Sequence, residues 1–414
     1  MQHKENIFII GAGISGLIAA YELERAGFKP VVIEQTDDVG GRVKTINHNG
    51  YRLDVGFQVL LSAYPLVKKY IDISKLDVIK LSSGALIYNN GKKYLIGDPV
   101  KNWKVLIPTL LSNVGTFGDK LKIFKLSQTL KKKSLAQIFN SPEQSTQDYL
   151  IDYGFSKKVI ERFFKPFFAG IFLEPELNTS NRMFQFVYKM FAEGYATIPK
   201  LGMGEISAQL RSNLNQTKFL FNTEVQEVSN EYITTRSGER HKHKGVIITG
   251  NANAILPGLK KPQAKWKSCM CFYFDVDQIN IPNKTIALIA DTGKYANNLY
   301  AFQDDTTGKT ILSVTTLRHN QMAKRDLIDT ITREVKAYTG CKRANYIQHY
   351  RITQALPEIQ APIMTINPSK CEVKENIFLA GDYLLNGSLN AAMESGLMAA
   401  NGLIDKNTIN SKPI

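Results

Sequence analysis

Near its start the chain runs from a short apolar stretch straight into three glycines. Residues 6–16 read NIFIIGAGISG, so that Gly11-x-Gly13-x-x-Gly16 follows Asn6–Ile10. The run is β-branched and aromatic, as a strand buried on both faces requires. Gly11 permits a tight turn. Gly13, without a Cβ, lets a pyrophosphate approach the backbone, and Gly16 lets the next helix pack closely on the strand. That helix, predicted from Ile14 to Ala26, aims the N–H groups of its first residues (Ile14, Ser15, Gly16) and its dipole at the phosphates. Gly27 ends it. Pro30-Val31-Val32-Ile33 then reads as a second strand that delivers Glu34, an acid placed to accept hydrogen bonds from ribose hydroxyls and to repel a 2′-phosphate. A strand, the glycines, a helix and the acid in this order predict a dinucleotide-binding unit.

A second apolar run closes the chain. Residues 376–382 read NIFLAGD and end at Gly381-Asp382. The two runs read as neighbouring strands of one sheet, and a cofactor gripped from both ends of a chain is usually an extended one.

Further motifs lie beside these. IEQTDDVGGRVKT carries Gly40-Gly41-Arg42, and LDVGFQVL carries Gly56-Phe57. With GAGISGL in front, the series resembles the opening of the FAD-dependent amine oxidase superfamily, which includes amine oxidases, protoporphyrinogen oxidases, and phytoene desaturases with their carotenoid-isomerase relatives. The resemblance implies that Gly41 and Arg42 hold the pyrophosphate and that Gly56 and Phe57 lie beside the flavin ring. GDYLLNGSLNAAMESGLMAA resembles the closing motif of these proteins. It implies that Asp382 sits near the ribityl and pyrophosphate groups, and that Leu389, Asn390 and Ala391 open a helix facing the flavin pyrimidine edge. In FLFNTEVQEV, Val225 would present its backbone to adenine. No cysteine stands where some relatives attach the flavin, so the implied FAD is noncovalent.

The fold class expected is α/β: a Rossmann-like FAD-binding domain with a discontinuous α+β substrate domain of antiparallel sheet and helices. The cofactor domain takes 1–80, 201–262 and 352–414, and the substrate domain 81–200 and 263–351. In the latter, strands are predicted at Cys269–Val276, Thr285–Ile289, Leu299–Phe302 and Thr310–Thr316, with a helix at Met322–Tyr338. LGMGEISAQL (201–210) is a glycine turn entering a helix and resembles the turn back to the cofactor domain.

With 414 residues, 43% of them hydrophobic, the chain can bury two cores. Its four cysteines (Cys269, Cys271, Cys341, Cys371) lack metal-ligand spacing, and no metal is expected. Free thiols suit a reducing compartment. A strand beginning at Asn6 leaves no room for a cleaved leader, and no apolar run reaches the ~18 residues of a membrane span. A cytoplasmic protein is expected.

The net charge is +15. Residues 101–140 hold eight lysines against one acid, Asp119, or +7, interleaved with large apolar residues such as Trp103, Leu106, Phe117, Leu121 and Phe124. This pattern suits a helix lying on an anionic membrane, on its inner face, and equally an amphipathic lid with a solvated lysine face. Nucleic acid is not expected, because no recognition motif accompanies the charge.

ERFFKPFFAGIFLEPELNTS (161–180) resembles the desaturase and protoporphyrinogen-oxidase side of the superfamily. Phe163, Phe164, Phe167, Phe168 and Phe172 read either as the lining of an apolar tunnel or as core. QALPEI (354–359) resembles the segment leading back to the flavin. Gly387 is followed by Ser388, where amine oxidases often carry an aromatic residue. Arg182 and Tyr383 are candidate substrate-side groups. His241 and His243, in RHKHK, read as solvated. The function expected is hydride transfer from a lipophilic substrate, a polyene or isoprenoid, to flavin N5, with oxygen or a quinone as electron acceptor. Three alternatives remain: a flavin amine oxidase, a reduced-flavin isomerase, and a membrane-surface flavoprotein without turnover.

Overall fold

The structure, a computed structural model, describes residues 6–97, 114–259, 263–318 and 322–409. Part of the lysine-rich window, including Lys101, Trp103, Lys104 and Leu106, therefore lies outside the described residues.

The first strand, Ile7–Ile10, is buried at every position. It pairs in parallel with Val31–Ile33 on one side and with Gly245–Ile248 on the other. Six strands form this sheet, in the order Lys218–Leu220, Val31–Ile33, Ile7–Ile10, Gly245–Ile248, Ile377–Leu379, Glu372–Lys374. All neighbours run parallel except the last pair. The opening and closing runs share the sheet but are not neighbours, because Gly245–Ile248 stands between them. That strand is GVII, buried at all four residues, and an apolar run of this kind belongs at the centre of a parallel sheet.

Successive residues face opposite ways. Ile7, Ile9 and Ile247 join the core beneath the first helix, Ile14–Arg25, and the C-terminal helix, Leu389–Ile409. Phe8, Ile10, Val246 and Ile248 pack against Val225, Val228 and Ile233 of a three-stranded antiparallel sheet. Absent side chains let the first helix pack on the turn before it and the C-terminal helix pack on the first. A Cβ at Gly16 would overlap the Gly11 carbonyl oxygen, and one at Gly396 would overlap the Ser15 carbonyl oxygen. Ser15 Oγ and Ser395 Oγ lie 3.3 Å apart across the same seam.

The second sheet has seven strands, in the order Ala344–Pro357, Trp266–Val276, Thr310–Thr316, Ala296–Gln303, Ile286–Ile289, Gly84–Asn89, Lys92–Gly97. Its pairs are antiparallel apart from Ile286–Ile289 with Gly84–Asn89. Helix Lys324–Thr339 buries Leu327, Ile331 and Val335 on it. Strand Ala344–Pro357 runs through the expected boundary at 351/352, since its pairing with Trp266–Val276 continues to Pro357. Helices Lys165–Phe172 and Asn181–Glu193 border the other side of the cavity described below, and Phe117–Lys132, Leu135–Phe139 and Thr146–Asp152 pack on Asn181–Glu193 to complete a helical layer.

Two expectations change at residue level. The phenylalanines divide between core and cavity: Phe164 and Phe168 are fully buried and pack on Phe184, Phe172 is buried against Phe168 and also borders the cavity, and Phe167 lines the cavity. His243 is buried rather than solvated. Its Nε2 lies 3.0 Å from the Ser229 carbonyl, and burial pushes its pKa down. His241 packs against Phe8, ring centroids 5.6 Å apart.

Asp54, at the end of the strand Tyr51–Asp54 that pairs with Thr45–His48, ties that pair to the turn at Met203 and to the second sheet. Its carboxylate accepts from Thr45 Oγ1 at 2.6 Å and from the Met203 N–H at 2.9 Å, while its carbonyl accepts from the Tyr273 hydroxyl of the second sheet at 2.8 Å. Burial raises the carboxyl from 3.8 to about 6. The native protein then holds a proton that the unfolded chain has released. Stability should fall as pH rises from about 4 to about 6 and stay lower above that. Asp54→Asn, which keeps an acceptor for both donors, should flatten this part of a Tm-against-pH curve, and wild-type and variant curves that stay parallel would contradict it. Alanine in place of a mid-helix glycine normally gains about 1 kcal/mol. Gly396→Ala should instead lose about 1–3 kcal/mol in urea unfolding, because its Cβ has no room.

Candidate functional site

A single cavity of about 1160 Å³ runs from the carboxyl ends of the parallel strands to the inner side of the helical layer. This position follows the rule for open parallel sheets, where ligands bind beyond the strand ends. The volume exceeds the ~300–1,000 Å³ of a pocket for one small ligand.

One end is built from backbone and a few polar groups. Gly11, Gly13, Ile14, Ser15, Glu34, Gly41, Arg42, Phe57 and Val225 line it from the front and middle of the chain; Gly381, Asp382, Tyr383 and Leu389 line it from the tail. Gly11 turns at φ +100°. Gly13 and Gly40 form an isolated parallel bridge, which brings the two glycine motifs side by side. Gly41 has φ +59°, and a Cβ there would press on Gly13 Cα at 3.3 Å. Gly13 differs from both. Its φ of −72° suits any residue, and a Cβ built on it would meet nothing nearer than Gly41 Cα at 4.0 Å. Neither backbone nor protein packing asks for glycine at 13. The space left open above it fits a phosphate group held against the N-terminus of the first helix.

Glu34 is buried and fixed. One carboxylate oxygen accepts from the Ala12 N–H at 2.8 Å, and the other accepts from the Thr36 N–H and hydroxyl, both at 2.9 Å. The acid is thus held at the cavity edge by the glycine turn on one side and by the segment after the second strand on the other.

Arg42 and Asp382, far apart in sequence, meet in a two-pronged ion pair. Arg42 NH1 donates to Asp382 Oδ2 at 3.0 Å, and NH2 donates to Oδ1. NH1 also reaches the Ala355 carbonyl at 3.3 Å, and the guanidinium lies 4.9 Å from the Trp266 ring centre. Trp266 in turn neighbours Tyr383, centroids 6.4 Å apart, and burial holds the Tyr383 hydroxyl well above its ordinary pKa. This cluster joins a front loop, the second sheet and the tail at one point of the cavity wall.

Five sequence candidates lie off the cavity lining. Gly16 serves helix packing. Gly56, at φ +94°, makes the turn that presents Phe57. Asn390 spends its Oδ1 on the Leu66 N–H at 3.0 Å. The Ala391 N–H donates to Ser388 Oγ at 3.0 Å, so Ser388 caps the C-terminal helix. That cap explains a serine where an aromatic residue would not serve. The N–H groups of Leu389 and Asn390 belong to the first turn, which has no helical acceptors of its own. Arg182 points to the foot of its helix, with Nε 2.9 Å from the Ser141 carbonyl and 3.1 Å from Glu143.

The far end of the cavity is mainly apolar: Phe167, Ile171, Phe172, Met183, Val187, Phe191, Ile286 and Leu288 line it, with Asn298 beside Leu288. Within this wall stands a half-hidden charge pair. Lys267 Nζ donates to Glu174 Oε2 at 2.8 Å and to Thr179 Oγ1 at 3.0 Å. Sequence reasoning passed over Trp266, Lys267 and Glu174. The available signal was the strand's start: it begins at Trp266, three residues before the predicted Cys269.

The family model described as flavin-containing amine oxidoreductase matches residues 14–404. Protoporphyrinogen oxidase 2 of Arabidopsis thaliana is 28% identical over 171 residues, which cover 40% of this chain and 32% of that protein. L-amino-acid oxidase of Trimeresurus stejnegeri is 30% identical over 162 residues, 37% of this chain and 31% of that protein. The matches thus span about a third of the length of these curated relatives. The crystal structure of a putative protoporphyrinogen oxidase from Exiguobacterium sp. 255-15 superposes with a TM-score of 0.72 at 17% identity, covering 98% of this chain and 100% of that one, and so shares the fold.

Gly13→Val tests the cradle. The variant should fold, with an unfolding midpoint close to that of the cofactor-free wild type, and purify without flavin absorbance. A variant that kept a full complement of flavin would show that the phosphates lie elsewhere.

Proposed function

The chain belongs to the flavin-containing amine oxidoreductase family, and we propose that it oxidises a lipophilic substrate of the polyene or isoprenoid class. Its cofactor is FAD; we propose that it is held noncovalently. The observation that carries the reading is the apolar half of the cavity, walled by Phe167, Ile171, Met183, Val187 and Phe191, with Phe57 lining the same cavity on the cofactor side. Such a wall gains free energy from covering apolar surface, at about 25 cal/mol per Å², and offers few partners to a small polar substrate.

Bound FAD supplies the chemistry by accepting a hydride at N5. The residues of the chain bind, orient and exclude water. In this proposal Gly13, Gly41 and the first turn from Ile14 hold the pyrophosphate, and the Glu34 carboxylate takes the ribose hydroxyls. Val225 borders the adenine, while Arg42 and Asp382 fix the wall beside the ribityl chain. The first turn of the C-terminal helix, at Leu389, turns its positive end toward the cavity and favours negative charge there. The apolar wall keeps water from the reacting carbon. Oxygen or a quinone is the acceptor proposed for reoxidation, and an anionic membrane surface is the source proposed for the substrate. No helix among the described residues is long and apolar enough to cross a membrane.

A second reading is oxidation of an amine, for which Glu174 in the cavity wall would have to exchange its Lys267 partner for the cationic group of the substrate. The L-amino-acid oxidase similarity supports the same reading.

The visible spectrum of the purified protein under anaerobic conditions separates these readings. Polyenes presented in vesicles should bleach the oxidised flavin band, and a panel of amines should not. Bleaching by amines alone would favour the second reading. A flavin that neither class reduces would contradict both, leaving isomerisation by reduced flavin or binding without turnover.

A further inference from the structure

Helix Phe117–Lys132 shows apolar side chains on its outer face as well as its inner one. Phe117 is 67% exposed, Leu121 56% and Phe124 52%. At 100° per residue these three fall within an arc of about 60°. The inner face lies opposite: Leu126 and Leu130 are fully buried, and Ile123 packs against the same core. Lysines border the outer arc on both sides. Lys125 and Lys132 are exposed along one edge, and Lys120 and Lys131 are half-buried along the other. Burial and the neighbouring Lys158 ammonium lower the Lys120 pKa, so positive charges crowd this edge.

The helix's one acid does not offset them. Asp119 is turned inward, where it accepts from the Thr116 N–H and hydroxyl at 2.7 and 2.8 Å and from the Ser156 N–H and hydroxyl at 2.9 and 2.6 Å. Lys133 also turns inward, to Gln185 Oε1 at 3.0 Å. What remains outside is an apolar ridge between two rows of lysine. An exposed ridge of this kind marks a binding surface.

The same helix is fastened to the cavity. Buried Lys189, on helix Asn181–Glu193, donates to the carbonyls of Leu130 and Lys131 at 3.1 and 2.8 Å, capping the lysine-rich helix at its C-terminal end. Met183, Val187 and Phe191 of that second helix line the apolar half of the cavity.

We propose, resting on the lipophilic-substrate reading above, that the Phe117–Leu121–Phe124 ridge docks on an anionic lipid bilayer. The three apolar side chains enter the interface and the lysine rows meet lipid phosphates. The charge pattern selects this occupant. A bilayer of anionic lipid offers an apolar interior beneath a negative surface, which matches a ridge flanked by cations on both sides. Docked this way, the membrane lies one helix away from the cavity wall.

Sedimentation of the FAD-loaded protein with vesicles tests this. The lipids are phosphatidylcholine alone, or the same lipid mixed with phosphatidylglycerol. The wild type should pellet with the anionic vesicles at low salt and leave them at high salt. Replacing Lys125, Lys131 and Lys132 together by Gln should weaken the partition on the order of 100-fold at low salt. Replacing Phe117, Leu121 and Phe124 together by Ser should abolish it while flavin content and circular dichroism stay unchanged. Equal recovery of the wild type with and without vesicles would overturn the proposal, as would undiminished binding by both variants. If the serine variant instead turned a dimer into a monomer in sedimentation velocity, with no wild-type binding to vesicles, the occupant would be a second copy of the chain and the proposal would fall. Turnover of a detergent-dispersed polyene is measured separately. The serine variant should match the wild type there and be slower only with vesicle-borne substrate. Loss of turnover in detergent by the wild type itself would count against the substrate reading alone.

Discussion

The cavity wall depends on how closely the first and last helices of the chain approach each other. The Ser15 carbonyl lies where a side chain of residue 396 would begin, and the Gly11 carbonyl lies where one of residue 16 would begin. Gly396 and the Ser15–Ser395 contact therefore set how closely the last helix approaches the first, while Gly16 sets how closely the first helix packs on its own opening turn. On the same wall Arg42 grips Asp382 with both ends of its guanidinium. A bidentate pair between partly buried groups is specific in geometry, and it places a loop from the front and a loop from the tail on one wall. In the proposed binding mode the cofactor spans this seam between the two ends of the chain.

Much of this could be read from the residues because local chemistry fixes it. A strand that meets Gly11-x-Gly13-x-x-Gly16 and then a helix can do little else, and Glu34 follows from the second strand. The four strands expected between residues 269 and 316 appear, one of them with identical bounds. What could not be read was placement across the sheet. Gly245–Ile248 looks like any buried strand, and nothing in its four residues says that it inserts between the opening and closing runs. The polar wall was equally hidden. Lys267 and Glu174 become partners only because Trp266–Val276 passes beside the loop after Lys165–Phe172, a long-range fact with no local signature. Asn390 shows the opposite case, a residue in a cofactor motif whose side chain the fold uses to hold Leu66.

The division of the phenylalanines follows from helix geometry. Phe164, Phe168 and Phe172 follow at intervals of four, share a face and fill the core, with Phe172 also bordering the cavity, while Phe167 lies off that face and lines the cavity. One short segment thus builds both the interior of the helical layer and the apolar half of the site. On the lysine-rich helix the same periodicity works outward. The residues that do not pack on Asn181–Glu193 form a ridge that water covers poorly, and the lysines beside it keep the protein from hiding that ridge against another positive surface. The +7 count in the sequence window pointed to this region; the wheel of the folded helix assigns its faces.

The central claim is that glycines from one end of the chain and a helix from the other hold FAD between them without a covalent bond. It is tested most directly by denaturing the purified protein with heat and identifying what is released. FAD alone in the supernatant, close to one per chain, with a colourless precipitate, is the result predicted. Colour that stays with the polypeptide would contradict noncovalent attachment. A protein that releases no flavin, and takes up none on incubation with FAD, would contradict the site itself.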